Sequence, residues 1–511
     1  MSSMIGYRRA AGGAALALVV MFGGCDNFLD VNEDPNNPQT VALELTLPGM
    51  FMAFSHEVIA PQEQRYGNLL GPTAWAGEWL GQWSWNDDEH TYAQFQWYEV
   101  ANLDTNGFWS SGYADVMQEA VNIMRRTEET GQSAYHGIAK FMYAWTASLL
   151  TDAFGPIPLS EAFDTRNRNP KYDTQQEVYQ TVFTLLDEAI AEMQDPGPDP
   201  PGYTDIVYKG DMTRWVKLAN TVKARLHMRL VYAPGEDATA HAQAALTALA
   251  SGFASPADAP LIEYDGGEDY EQPWFRFDDQ DYGEPSRAGE FIVELLKSTN
   301  DPRLPIMIRP ADLECPAGGG YQREDCTLAT HAIYRGHPTG EPGQPDSAIS
   351  RIGAFFAADS ADLVWFTYED ARMIEAETRL ITSGAAAADV PYRTAIRANM
   401  ERLGVAAADI DAYLTALPPL AAEARPLKAI IMQKYLINFL RDEVWHDWRR
   451  TGYPEFPPVA RRVINGIPVR LRTPASEMQF NSESLAATGI STGLDGMLTE
   501  VWWASGSPTR Q

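Results

Sequence analysis

The stretch Tyr135-His136-Gly137-Ile138-Ala139-Lys140-Phe141-Met142-Tyr143-Ala144-Trp145-Thr146-Ala147-Ser148-Leu149-Leu150-Thr151-Asp152-Ala153-Phe154 is followed by Gly155-Pro156. It lacks the two-residue alternation of a half-exposed strand and is apolar nearly all round. It therefore reads as a buried helix, stopped by the glycine and proline. Helical periodicity extends outward on both sides. Thr105 to Glu129 places Phe108, Trp109, Val116, Ala120, Ile123 and Met124 near one face. Asp173 to Met193 starts on an expected N-cap and ends at Asp195-Pro196-Gly197-Pro198. Met212 to Tyr232 is expected to carry Lys217, Lys223, Arg225 and Arg229 on polar faces. Leu363 to Ile381 repeats Ala371, Ile374, Thr378 and Ile381 at helical spacing. Pro426 opens a further helix expected to run to Trp448. Strand signals are few and short, and Phe253–Ile352 and Pro454–Gln479 are irregular. The expectation is a mostly α fold, one large helical domain with long loops.

The chain has 511 residues, 45% hydrophobic and 21% charged, which excludes a disordered chain, a collagen or a coiled coil. Asp and Glu number 69 against 39 Lys and Arg, a formal net charge of −30. That argues against nucleic acid as a partner, because phosphate contacts need clustered cations. At the N-terminus, Arg8-Arg9 precedes the apolar run from Ala10 to Phe22, then Gly23-Gly24-Cys25. The run is too short to span a bilayer as a helix. Its basic, apolar, small order reads as a secretion signal (residues 1–24) ending in a lipobox, with Cys25 as the lipidated first mature residue. Several acyl chains on Cys25 would hold the protein stably on a membrane. Residues 25–41 read as a polar tether and 42–511 as the folded domain. Cys315 and Cys326 flank a Gly-rich loop. In an exported protein they are expected to form a disulfide worth about 3 kcal/mol in the chain-entropy model. The alternatives are two free thiols or a metal pair, but no His or further Cys stands at zinc spacing.

A series of motifs follows in order. After Cys25 come Asp30-Val31-Asn32 and Asp34-Pro35-Asn36-Asn37-Pro38. Leu150-Thr151-Asp152-Ala153-Phe154-Gly155-Pro156-Ile157-Pro158-Leu159-Ser160-Glu161-Ala162 is next, then Arg214-Trp215-Val216-Lys217-Leu218-Ala219-Asn220 and Asn300-Asp301-Pro302-Arg303-Leu304. Tyr368-Glu369-Asp370-Ala371 to Glu375-Ala376-Glu377 and Gln433-Lys434 to Trp448-Arg449-Arg450-Thr451-Gly452-Tyr453-Pro454 complete the set. Together they resemble the SusD/RagB family of nutrient-binding outer-membrane lipoproteins, from Cys25 to about Asn481. The resemblance implies tetratricopeptide-like helix pairs and no catalysis. It also implies a lipid-anchored, surface-exposed outer-membrane protein that captures oligosaccharide and delivers it to a TonB-dependent SusC-like transporter.

Several residues hint at chemistry in their own right. His56-Glu57 begins like H-E-x-x-H, but position 60 is Ala and the second zinc ligand is missing. Asp278-Asp279-Gln280-Asp281-Tyr282-Gly283 departs from the EF-hand spacing; it reads as a solvated acidic turn, with a looser calcium site as the alternative. No G-x-S-x-G, P-loop or G-x-G-x-x-G occurs. No cofactor or metal is expected. Glu375 with Glu377, and Asp447-Trp448-Arg449-Arg450, read as structural charge, the latter as a buried ion pair. The functional signal is aromatic: six of the 14 Trp lie between Trp75 and Trp109. Trp75, Trp79 and Trp83 recur every four residues as a helical stripe. Trp85 leads into the polar run Asn86-Asp87-Asp88-Glu89-His90. Sugars stack on flat rings while Asn and Asp bond their hydroxyls, so Trp85 is expected to be exposed. The family resemblance carries a ligand role onto Trp83, Trp85, Asn86 and Asp88. Tyr92 joins this cluster, and Trp274 and Tyr282 form a second exposed aromatic group. Trp97 and Trp109, in helical patterns, are expected in the core. Peptide capture is the alternative within the family, and a surface glycosidase the alternative from another class.

Overall fold

The computed structural model describes residues 42–63, 69–86, 93–267, 271–277, 286–311, 333–343 and 348–507. Cys25, Asp88, Tyr92, the 278–283 acidic motif with Tyr282, and Cys315 with Cys326 lie outside the described residues. Met1–Thr46 and Leu47–Gln511 are separate compact units; the helices and strands that follow all belong to the second.

The principal helices are α1 (Pro72–Trp79), α2 (Gln118–Glu128), α3 (Ser133–Phe154), α4 (Gln175–Gln194), α5 (Met212–Leu230) and α6 (Ala238–Leu249). They continue with α7 (Glu290–Ser298), α8 (Tyr368–Ser383), α9 (Ala385–Arg402), α10 (Pro426–Ile437) and α11 (Glu443–Thr451). From α2 to α6 each helix packs on the next; α8 then packs on α6 and α9 on α8. This is the stacked-pair helical scaffold expected. Strands among the described residues are two or three residues long and form two-stranded antiparallel ladders.

Helix α3 matches its sequence: 19 of its 22 residues are buried, and Gly155 ends it at φ 82°. Residues 105–129 are also helical, with a π-helical segment at Ser111–Met117 between Asn106–Ser110 and α2. Three helix ends differ from expectation. The cap of α4 is Thr174, not Asp173. The Thr174 hydroxyl accepts from Glu177 N–H and the Glu177 carboxylate accepts from Thr174 N–H at 2.8 Å, a reciprocal arrangement that satisfies two orphan donors. Asp173 instead accepts from the Leu159 and Ser160 amides. Helix α8 starts at Tyr368, because Leu363–Val364 is drawn into a ladder with Leu261–Ile262. The single helix expected from Pro426 to Trp448 is two, broken where Leu440 adopts φ 60°.

Arg225 and Arg229 are not on a solvent face. Arg229 is 2% exposed and pairs with Asp152 at 3.1 Å and Glu443 at 2.8 Å. Arg225 bonds Asp370. The expected ion pair in α11 is present and larger than expected. Arg450 bonds Asp447 at 2.7 Å and Glu377 at 2.8 Å, and Lys434 bonds Asp447 at 2.9 Å, all four buried. Two carboxylates against two cations leave this cluster neutral, which is the condition for burying charge at tolerable cost. The cations hold the Asp447 carboxyl below the usual carboxylate range despite its burial.

Candidate ligand-binding site

Helix α1 begins at Gly71-Pro72 and places Trp75 and Trp79 one turn apart, with ring centroids 6.3 Å apart and planes 12° from parallel. Gly81, at φ 67°, turns the chain out of the helix. A Cβ there would meet the Phe456 ring at 2.6 Å, so both conformation and space require glycine. Trp83 therefore does not continue the helical stripe. It opens a strand, Trp83–Trp85, paired antiparallel with Ser286–Ala288: Trp83 faces Ala288, Ser84 faces Arg287 and Trp85 faces Ser286.

Period-two alternation puts Trp83 and Trp85 on one face of this ladder. Trp274 and Phe277 cover that face. Trp83 lies 5.3 Å from Trp85, 5.9 Å from Trp274 and 5.4 Å from Phe277, and Phe277 lies 5.7 Å from Trp85. The ring contacts run edge to face, the arrangement favoured by the aromatic quadrupole. Trp83 donates to the Ala74 carbonyl at 2.9 Å. Trp83 and Trp85 are 0% exposed and Trp274 is 4% exposed. The expectation of free Trp85 and Trp274 faces is thus corrected: the rings satisfy one another and form a packed knot. Asn86 is buried as well, at 7%. Trp97 and Trp109 are in the core, as expected.

Ser84 points the other way, donating to Gln96 Oε1 at 3.0 Å and lying 3.1 Å from His337 Nδ1. The Gln96 oxygen also accepts from Gly340 N–H. The backbone joins more segments to this ladder. Ala288 donates to Ser350 O, Ser350 to Arg335 O and His337 to Ala288 O, while Ala311 donates to Ile333 O. The described ends next to residues 87–92, 278–285 and 312–332 therefore all belong to one small platform of hydrogen-bonded backbone. The knot braces it from behind. This convergence links positions far apart in sequence, which sequence reading alone could not bring together.

One space adjoins the knot and another the platform. A narrow cavity of about 80 Å3 is lined by Trp274, Gln272, Trp145, Trp365, Arg225 and Arg441 among others. A groove of about 680 Å3 lies where the other end of the ladder reaches Gly81. Phe291, Leu295, Met432, Phe456, Glu290 and Lys428 are among its walls. This volume is in the range of ligand sites. Sequence reading missed it because its rings, Phe291 and Phe456 at 4.9 Å, come from α7 and from the proline-rich stretch after α11.

The histidine of the incomplete zinc motif is occupied structurally. His56 Nε2 meets the Tyr264 hydroxyl at 2.7 Å, and burial pushes its pKa down to about 4. Glu78, on α1 between the two tryptophans, is wholly buried, and neither carboxylate oxygen has a hydrogen-bond partner among the described residues. Desolvation raises its pKa well above the usual carboxylate range.

Residues 68–474 match the model of a family described as "Starch-binding associating with outer membrane". The chain belongs to the SusD-like family. The stacked helices of this SusD-like protein are shared with solved structures. A chitin-binding protein superposes with a TM-score of 0.74 at 25% identity, covering 90% of this chain and 99% of that one. A SusD/RagB family protein from Bacteroides thetaiotaomicron gives 0.74 at 23% identity, covering 92% and 100%. A chitin-binding SusD homolog from Flavobacterium johnsoniae gives 0.73 at 23%, covering 90% and 98%. No curated protein matches the chain. Among the described residues of this SusD-like protein no helix is long and apolar enough to cross a membrane.

Proposed function

We propose that this SusD-like protein is a non-catalytic, lipid-anchored receptor at the outer-membrane surface. It captures oligosaccharide and delivers it to a TonB-dependent SusC-like transporter. The observation that carries the reading is the family match across residues 68–474. The chitin-binding relative, alike over nearly its whole length, supports a polysaccharide fragment as ligand. In this reading Asp88, Tyr92 and Tyr282 make the ligand contacts, and Trp83, Trp85, Asn86 and Trp274 are the rigid base beneath them. Cys25 carries the anchor, residues 42–511 form the binding domain, and a Cys315–Cys326 bridge closes its loop.

Calorimetry against chitin- and starch-derived oligosaccharides, with product analysis on the same samples, tests this. Binding without release of shorter products is expected. Loss of one stacking ring, as in Tyr282→Ala, should weaken binding roughly tenfold, taking ring stacking at the low end of about 1–3 kcal/mol. Product release would make the protein a glycosidase, and binding of peptides but no glycan would move it to the peptide-capturing alternative. Cys25→Ala should leave the membrane fraction; a barrel transporter should co-purify with wild type.

A further inference from the structure

We propose that His227 and His241 form a transition-metal site on the outer helices, with Glu236 as its supporting carboxylate. His227 lies on α5 and His241 on α6, which pack against each other. Their Nδ1 atoms are 3.1 Å apart. His241 Nε2 stands 3.0 Å from a Glu236 carboxylate oxygen. A proton on that Nε2 leaves the Nδ1 lone pair of His241 turned toward His227. This is the arrangement metal-bound histidines favour, one ring nitrogen on the ion and the other donating to a carboxylate. The ring of His227 is stacked on Phe183 at 4.3 Å and 19°, which restricts its orientation before any ion arrives.

In the structure the two rings meet nearly nitrogen to nitrogen, with centroids 5.3 Å apart, so without metal one Nδ1–H donates to the other. An ion at about 2.05 Å from both nitrogens would sit about 1.3 Å to one side of the line joining them. The angle at the metal would be roughly 100°, between the tetrahedral and square values. Each ring must tilt to reach it, and the partly exposed side chain of His241, 14% accessible, is the one with room to do so. Among the described residues no group of three or more His, Cys, Asp or Glu is placed to hold a metal, and nearby Asp187 is tied to Lys223. Water therefore fills the remaining positions. Two imidazoles and water select Cu2+ over Ni2+ and Zn2+, and exclude the oxygen-seeking Mg2+ and Ca2+.

The test is a CuCl2 titration of the EDTA-stripped full-length protein, followed by electron paramagnetic resonance and by melting temperature. One bound Cu2+ with two-nitrogen hyperfine structure is expected, with a rise in melting temperature. His241→Gln should abolish both. Glu236→Gln should keep the two-nitrogen signal and weaken binding roughly 10–100-fold. His241→Gln is the main variant because its ring is less buried than a core side chain and glutamine can keep a hydrogen bond to Glu236; its melting curve in EDTA is the baseline against which the copper-dependent rise is read. No copper bound by wild type would mean a hydrogen-bonded pair only. An unchanged signal in His241→Gln would place copper elsewhere. Either result overturns the site. Glycan binding is measured separately and does not depend on the outcome.

Discussion

Replacing Glu78 by glutamine should make the protein more stable, by an amount that grows with pH. The side chain is 0% exposed and neither oxygen is hydrogen-bonded among the described residues, so the folded protein holds the carboxyl neutral well above its ordinary value of 4.5. In the unfolded chain the same group ionises near that value. Between the two pKa values the native state binds one proton more than the unfolded state. Stability therefore falls as pH rises through this window, at about 1.4 kcal/mol per pH unit for one proton. Below pH 4.5 both states are protonated and the penalty vanishes. The amide has the same shape and does not titrate, so Glu78→Gln removes the slope. Urea unfolding of both proteins at pH 4, 5, 6 and 7 should give nearly equal stabilities at the acid end. A gap favouring the variant should then open as pH rises, by at most about 1.4 kcal/mol per unit, and level off once the pH passes the folded-state pKa, with equal m-values. The rings of Trp75 and Trp79 provide the fluorescence probe. Parallel pH profiles would refute the reasoning, because they would mean that Glu78 titrates alike in folded and unfolded chains.

Trp85→Ala empties part of the aromatic knot and should cost about 3–5 kcal/mol of stability, read as a lowered melting temperature. An unchanged melt with lost glycan binding would restore the exposed-ring reading. Glu377→Gln leaves Arg450 and Lys434 with one carboxylate and should cost about 3–5 kcal/mol in urea unfolding. The double variant Glu377→Leu, Arg450→Met should cost less than the two single changes added together. Thr174→Ala removes a reciprocal cap and should cost about 1 kcal/mol, visible as a modest melting shift without any change in ligand affinity.

The helical scaffold was legible because its signal is local. The apolar run ending at Gly155-Pro156 specifies α3 whatever surrounds it, and α4 and α5 announce themselves by period, although the cap of α4 was read one residue early. Where tertiary partners decide, the reading failed. Asn86-Asp87-Asp88 made Trp85 look like a surface ring, whereas Ser286 and Phe277, far along the chain, close over it. Arg225 and Arg229 look like solvent-facing helix charges until Asp152, Asp370 and Glu443 come from other helices to meet them. The break at Leu440 left no proline or glycine as a mark. Gln82 makes it, its side chain donating to Tyr435 O at 3.0 Å and accepting from Leu440 N–H at 2.8 Å.

That glutamine clamp also bears on the order in which the molecule can assemble. Gln82 emerges early in synthesis, but both its partners lie near the other end of the chain. Helices α3 and α1 are in the same position: the guanidinium of Arg449 holds the Asp152 carbonyl of α3 at 2.6 Å, and Trp445 packs on Trp79 of α1 at 5.8 Å. A nascent chain lacking its last hundred or so residues would leave these groups bare, with loops too long to close cheaply. The α2–α6 stack can form as it is made, but the Gln82 clamp and the Trp79 and Asp152 contacts must wait for residues 435–449. On the proposed reading as an exported lipoprotein, the chain gains from that delay, since it stays threadable until it is complete.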